Sequence, residues 1–289
     1  IAIGRRIALS RHALDEALVA AAAAAGVTVL DETRAWLAPP AAWPTRQVVL
    51  HRAAAQTAMD ARLVIVATGL AGASSQGQAR VAAASYVGLG AICREPPLPI
   101  PPGTLLMACT ARGYVGVTEI EGGAFDLAAA VDPRALAAAP SAGQLVESIL
   151  AEARLEPSTD LAALPWRGTL PLTRRAASLA SHRCLLVGDA ARYVEPFTGE
   201  GIGWAIHSAL LAAKLTAAFA DPGDPAVIAR WPSLYRAALG RQQRNCQAAC
   251  CALRHAPVRA LVTRGLRWAP LLGGAATARL DRPLAAPTF

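Results

Sequence analysis

A chain of 289 residues, 54% of them apolar, has the length for about two domains and the apolar mass to fill a core, which excludes disorder as its overall state. Its longest uncharged apolar run, Ala17 to Leu30, spans 14 residues and contains Gly26 and Thr28, short of the ~20 that a membrane-spanning helix needs; no basic, apolar, small-residue succession opens the chain as a secretory leader would. The net charge of +8 rests on arginine, Lys214 being the one lysine, and it is concentrated from Arg230 onward, where ten arginines stand against Asp281 alone.

Ser10 precedes Arg11 to Ala25, a run of strong helix formers with Leu14, Leu18 and Val19 on one stripe, and Gly26 follows where a left-handed residue ends a helix. A helix is predicted there. Val27 to Leu30 reads as a short buried strand, followed by strands in RQVVLH at 46–51 and RLVIVATG at 62–69. The continuous apolar run Leu63 to Ala67 suits a strand covered on both faces, and it leads through Thr68 and Gly69 into a loop with Gly72, Ser74 and Ser75. From 76 to about 180 the texture changes to short alternating segments broken by glycine, as in TLLMACTARGYVGVTEIEGGAFDLAAAVD at 104–132, which predicts an antiparallel meander. EPPLPIPPG at 95–103 is a proline-rich loop, and a helix is predicted around Gln144 to Ala153. The parallel-type pattern resumes at Cys184, and beyond Trp231 the pattern is helical to about Trp268. The expected class is α/β: a Rossmann-like domain from residues 1–75 and 180–230, an inserted, mostly antiparallel domain at 76–179, and a basic helical region at 231–289.

Six cysteines (Cys93, Cys109, Cys184, Cys246, Cys250, Cys251) form no CxxC pair and no matched histidine spacing, so no metal site is expected. Reduced thiols in apolar surroundings suit a reducing cytoplasm. The arginine-rich end is either a solvated helix face or a surface for anionic lipid or an acidic carrier protein. Nucleic acid is not expected, because no reading motif or aromatic-basic interleaving accompanies the charge. In RGLRWAPLLGG at 264–274 arginines flank Leu266, Trp268, Leu271 and Leu272, a mixture that suits a peripheral membrane contact or a helix docked on its own domain.

The segment CLLVGDAARYVEPFTGEGIGWAIHSALLAA at 184–213 carries the chemistry. A buried strand, Cys184 to Val187, runs into Gly188 and Asp189, and ligands of open α/β sheets gather past such strand ends, so Asp189 is expected at the rim of a crevice. After Pro196 a glycine-rich turn opens a long helix, whose bare N–H groups, aided by a dipole contribution of about 0.3–1 kcal/mol, favour an anion or an electron-rich carbonyl. Taken alone, the glycine triplet equally fits a helix packed closely on a sheet.

The whole string resembles the second FAD-binding motif of the p-hydroxybenzoate hydroxylase and geranylgeranyl reductase group of flavoproteins: a strand, GDAA, a short loop, P-x-x-G-x-G and a helix. Val187, Gly188, Asp189, Ala190 and Ala191 match it, as do Pro196, Gly199, Gly201 and Ile202. Upstream, LSRHALDEAL at 9–18 resembles the group's arginine-led helix, VIVATG at 64–69 its Asp-Gly or Thr-Gly motif, and Gly113, Tyr114 and Val115 its Gly-Tyr strand. The resemblance implies that Asp189 hydrogen-bonds the ribityl hydroxyls of FAD, and that the N–H groups around Gly201 and Ile202 face the N1–C2=O edge of the flavin. It further implies that Arg11 lies by the pyrophosphate or ribose and that Thr68 and Gly69 line the cofactor. Arg192 departs from the group, where a small residue or histidine is common, and reaches either a substrate carboxylate or solvent.

The group's first motif, a strand, GxGxxG and a helix, is expected to precede Ile1, and GLG at 88–90 is no substitute for it. Either the natural protein continues upstream or the chain is a decayed copy, and weak FAD affinity is expected of these residues alone. The implied activity is that of an FAD-dependent oxidoreductase acting on a small hydrophobic, polyketide-like or isoprenoid-like substrate, with NAD(P)H as candidate electron donor. YVEPFTGEGIGWA is nearer to the reductase branch, with aromatic hydroxylase and halogenase as alternatives. A non-catalytic remnant that binds through its basic tail is the reading from a different class. No catalytic residue is assigned: His207 and Trp204 read as packing residues, and Tyr114 as a core aromatic or a residue over the flavin face.

Overall fold

Ser10 opens the first helix, α1 (Arg11–Ala24), by accepting the Ala13 N–H on its hydroxyl. Gly26, at φ +88°, closes it, with the Val27 N–H reaching Ala22 and the Gly26 N–H reaching Ala23. This paired capping is what a left-handed glycine makes available. The computed structural model describes residues 7–40, 44–70 and 79–268.

A meander of β1 (Thr33–Leu37), β2 (Arg46–Arg52) and β3 (Ala55–Ala61) follows, all antiparallel. Then come β4 (Val64–Val66), β5 (Arg80–Val81), β6 (Val87–Cys93), β7 (Leu105–Cys109), β8 (Gly113–Glu119) and β9 (Phe125–Val131). Helices α2 (Pro133–Ala138) and α3 (Ala142–Glu152) precede β10 (Arg167–Pro171), β11 (Arg174–Arg175), β12 (Ala180–Ser181) and β13 (Cys184–Leu186). The chain continues through α4 (Gly188–Ala191), β14 (Arg192–Tyr193), α5 (Gly201–Ala217), α6 (Pro225–Leu253) and α7 (Ala256–Trp268).

These elements form two compact units. One comprises residues 7–27, 84–172 and 248–268, the other 28–70, 79–83 and 173–247, in both cases counting described residues.

The first unit is built on an antiparallel sheet of order β10-β6-β9-β8-β7, the meander expected from the glycine-broken alternation. Strand β9 turns Phe125, Leu127, Ala129 and Val131 inward at every second residue, as a pleated strand must. Against the sheet lies α3, whose Leu145, Val146, Ile149 and Leu150 are spaced by helical turns and fully buried. Each such aliphatic side chain contributes roughly 1.5–3 kcal/mol. A Cβ on Gly143 would meet the Leu161 carbonyl oxygen at 2.3 Å, so glycine is what lets α3 lie against the 161–163 turn. The Glu147 carboxylate accepts the Leu161 and Ala162 N–H groups of that turn. In the same unit α1 is tied down by the Ser10 N–H donating to Glu121 at 2.8 Å, yet none of its residues is buried.

The second unit holds the β1–β3 meander, a ribbon of order β14-β11-β5, and a small sheet of order β12-β13-β4 in which β4 and β13 run parallel. Its base is a buried ion pair: Arg183, 1% exposed, pairs with Asp221 and donates to the Arg62 carbonyl. That contact fixes the starts of β4 and β13 and the turn between α5 and α6 together. The Arg183 hydrogen bond in the first place, with Gly223 N–H and Arg62 beside it, holds the Asp221 carboxyl below the usual range.

Three local expectations are corrected. Residues 27–30 form no strand, because β1 takes the pairing with β2, and Val27, Val29 and Leu30 stay exposed. The run 63–67 is not covered on both faces: Val66 is buried, whereas Ile65 is 43% exposed. β1 and β3 lie where only one strand was expected, for β3 reads AQTAMDA with scarcely a buried residue. The loop residues Gly72, Ser74 and Ser75, and the tail from 269 onward, lie outside the described residues.

Candidate functional site

The site is set by the ends of two parallel strands. Cys184, Leu185 and Leu186 of β13 align with Val64, Ile65 and Val66 of β4, and the Val187 N–H extends the ladder to the Val66 carbonyl at 3.0 Å. Thr68 and Gly69 therefore leave one strand at the same end of the sheet at which Gly188 and Asp189 leave the other. Such carboxyl ends are where open α/β sheets take ligands. β13 is wholly buried, and burial pushes the Cys184 thiol up to about 11, which removes it as a nucleophile.

Gly188 sits at φ +55°, and a Cβ there would meet the Ala205 Cβ at 3.1 Å. Its N–H donates to the Ser208 hydroxyl at 2.8 Å, and that hydroxyl donates to the Ala205 carbonyl at 2.8 Å. α5 is thus pinned to the strand end by one serine. Ser208 was not among the residues singled out from the sequence; its signal is a hydroxyl on the same stripe as Trp204, Leu211 and Leu215, all buried. Trp231 supports the strand in another way, its indole N–H donating to the Leu186 carbonyl at 3.1 Å.

The turn into α5 is open. Pro196 starts a single 3-10 turn, Gly199 closes it at φ +70°, and the Gly199 N–H donates to the Pro196 carbonyl. Glu200, at the N-cap of α5, makes no side-chain capping hydrogen bond. A Cβ placed on Gly199, Gly201 or Gly203 would meet no atom within 4 Å. Close packing therefore does not explain these glycines, which removes the alternative reading of the triplet. What remains is a helix start with its positive dipole end and space above its glycines, next to the exposed Ile202.

Asp189 lies half-buried in the single turn of α4, whereas Ala190 and Ala191 are buried. Behind α4, Tyr235 takes a hydrogen bond from Gln243 at 3.0 Å; burial pushes its hydroxyl up, and Asp189 adds to the rise. Arg192 turns its guanidinium to Gln247 at 2.9 Å. His207 is half-buried, and burial first and Lys214 second push its imidazole down, which favours the neutral form.

Thr68, Gly69, Gly188, Asp189, Ala190, Pro196, Gly199, Gly201 and Ile202 thus fall in one unit. Arg11 belongs to the other, where it is exposed and pairs with Asp15 at 3.2 Å. Tyr114 lies on β8 in that same unit, opposite Cys109 and Ala130. Trp204 is buried as a packing residue, as expected.

The chain resembles solved flavoproteins over most of its length. The myxobacterial chondrochloren halogenase CndH, described as FAD-dependent, superposes with a TM-score of 0.70 at 18% identity, covering 86% of this chain and 61% of that one. A geranylgeranyl bacteriochlorophyll reductase-like protein of Thermoplasma acidophilum superposes with a TM-score of 0.67 at 19% identity, covering 87% of this chain and 65% of that one. The chain carries the fold of the FAD-dependent oxidoreductases. Among curated proteins, ubiquinone hydroxylase UbiL of Rhodospirillum rubrum is 41% identical over 70 residues, which is 22% of this chain and 16% of that protein. No protein-family model matches. The chain therefore spans under two thirds of the length of each of these three relatives.

Proposed function

We propose that the chain is part of an FAD-dependent oxidoreductase in which the carboxyl ends of β4 and β13 and the open turn before α5 hold the flavin. The observation that carries this reading is the empty space above Gly199, Gly201 and Gly203 beside the helix start, at the same sheet end as Asp189. A bound flavin would supply two-electron transfer. Asp189, short, anionic and half-buried, accepts hydrogen bonds from sugar-type hydroxyls. The N–H groups of Gly201 and Ile202 donate to a carbonyl or to negative charge developing on it, and they need no reorganisation because the helix fixes them. Thr68 and Gly69 wall the opposite strand end.

Within that class we favour a reductase-like reaction on a small hydrophobic substrate, because YVEPFTGEGIGWA is nearer the reductase branch and the T. acidophilum protein shares the fold. Hydroxylation is the second reading, favoured by the 41% identity to the ubiquinone hydroxylase over 70 residues. NAD(P)H is the proposed reductant.

The test is the visible spectrum of the desalted complete gene product after incubation with FAD, then with NADH or NADPH. Bands near ~370 and ~450 nm that bleach with a nicotinamide cofactor are expected. Oxygen consumption without an added acceptor favours the hydroxylase reading, and slow reoxidation in air favours the reductase. A colourless protein under saturating FAD contradicts both.

A further inference from the structure

The ribbon β5–β11–β14 lays three arginines in one cross-strand row: Arg175 stands directly opposite Arg80 on one side and Arg192 on the other. Arg174 occupies the next row, between Val81 and Tyr193. These four arginines, with Tyr193 and Gln247, line a cavity of about 330 Å3 in the second unit. Like charges directly opposite one another destabilise a sheet, and strands of two residues have little ladder to offset that.

Among the described residues the ion pairs involve other arginines, namely Arg11, Arg52, Arg62, Arg112 and Arg183. Arg192 is bonded to the neutral Gln247, and the Nε of Arg174 is buried without a hydrogen-bond partner. Arg244 adds a further cation beside Arg192, whose guanidinium is pushed down by burial first, with Arg175 and Arg244 adding to the fall against an opposing influence of Tyr235. The cavity thus concentrates positive charge, partly desolvated at Arg192 and with the Arg174 Nε–H unspent.

We propose that this cavity is a binding site for a phosphoryl group, held by Arg80, Arg174, Arg175 and Arg192. Guanidinium forks match phosphate oxygens in bidentate pairs. A phosphate monoester carries about −1.5 to −2 charge near neutrality, so it answers the row better than the single charge of a carboxylate. Gln247 sets the guanidinium of Arg192 in place before the ligand arrives. The inference rests on the arginine row and not on the flavin reading.

The test is calorimetric titration of the complete gene product with inorganic pyrophosphate, at constant ionic strength in chloride, with and without saturating FAD. Saturable binding to the flavin-free wild type is expected, weakened at least tenfold in Arg175→Gln and only partly recovered in Arg175→Lys, which keeps the charge but loses the fork. Arg80→Gln, on an exposed strand, is expected to weaken binding likewise and serves as the second variant should Arg175→Gln not fold. Binding that FAD abolishes assigns the phosphoryl group to the cofactor; binding that persists with FAD assigns it to a separate phosphorylated ligand. Both outcomes uphold the site. No saturable binding to the flavin-free wild type, or equal affinity in the folded Arg→Gln variants, overturns it.

Discussion

The sheet of β6–β10 and the parallel pair β4–β13 are built from similar residues to opposite ends. The first is closed on the face that packs against α3: Val115, Val117, Leu127, Val131, Val146, Ile149, Leu150 and Leu161 are all fully buried, and Glu147 and Arg112 spend their polar atoms on neighbouring backbone and side chains. The second is open: Ile65, Ile202, Ile206 and Leu210 are exposed, glycines face empty space, and arginines line a cavity. The closed face is where folding free energy is gained; the open region is where the proposed function puts the ligand.

Truncation should break this comparison most sharply. Ile149→Ala or Leu127→Ala is expected to cost about 2–5 kcal/mol in denaturant unfolding, whereas Ile202→Ala and Leu210→Ala are expected to stay within about 0.5 kcal/mol. Two glycine substitutions sharpen it. Gly143→Ala drives a methyl into the Leu161 carbonyl and is expected to cost about 1–3 kcal/mol. Gly201→Ala meets nothing, so stability should hold within about 0.5 kcal/mol while FAD retention falls, because the methyl occupies the space left for the ligand.

A smaller effect concerns the base of the open unit. The Asp221 carboxyl is held below its unfolded value of ~3.9. Its stabilising contribution is therefore present above that pH and is lost as pH falls through the folded value. Asp221→Asn is expected to flatten the fall of stability below about pH 4, as well as lowering Tm at neutral pH by removing the carboxylate that pairs with the buried Arg183. The smallest expected effect is chemical: iodoacetamide should modify the exposed Cys251 in the native protein and reach Cys184 only after unfolding.

Much of this architecture was legible in the sequence. Ser10 and Gly26 bounded α1, glycine-broken alternation marked the antiparallel sheet, and CLLVGDAA placed the strand and turn that carry Asp189. β1 and β3 were not legible, for a physical reason. The β2–β3 hairpin turns at Ala53 and Ala54, with Ala53 at φ +51°, a conformation that asparagine or glycine ordinarily announces. Ser208 and the arginine row escaped as well, since both depend on partners 17 or more residues away in sequence that only pairing brings together. Arg11, which the resemblance places by the cofactor, lies in the other unit, where its side chain engages Asp15 one helical turn on.

The most direct test of the central claim is the dissociation constant for FAD, read by quenching of flavin fluorescence, in the wild-type complete gene product, Asp189→Ala and Gly201→Ala, each shown to be folded by its unfolding curve. Saturable binding to the wild type is expected, weakened at least tenfold in both variants at unchanged stability. Equal affinity in all three proteins would contradict the assignment of the flavin to the β4–β13 strand ends and the turn before α5.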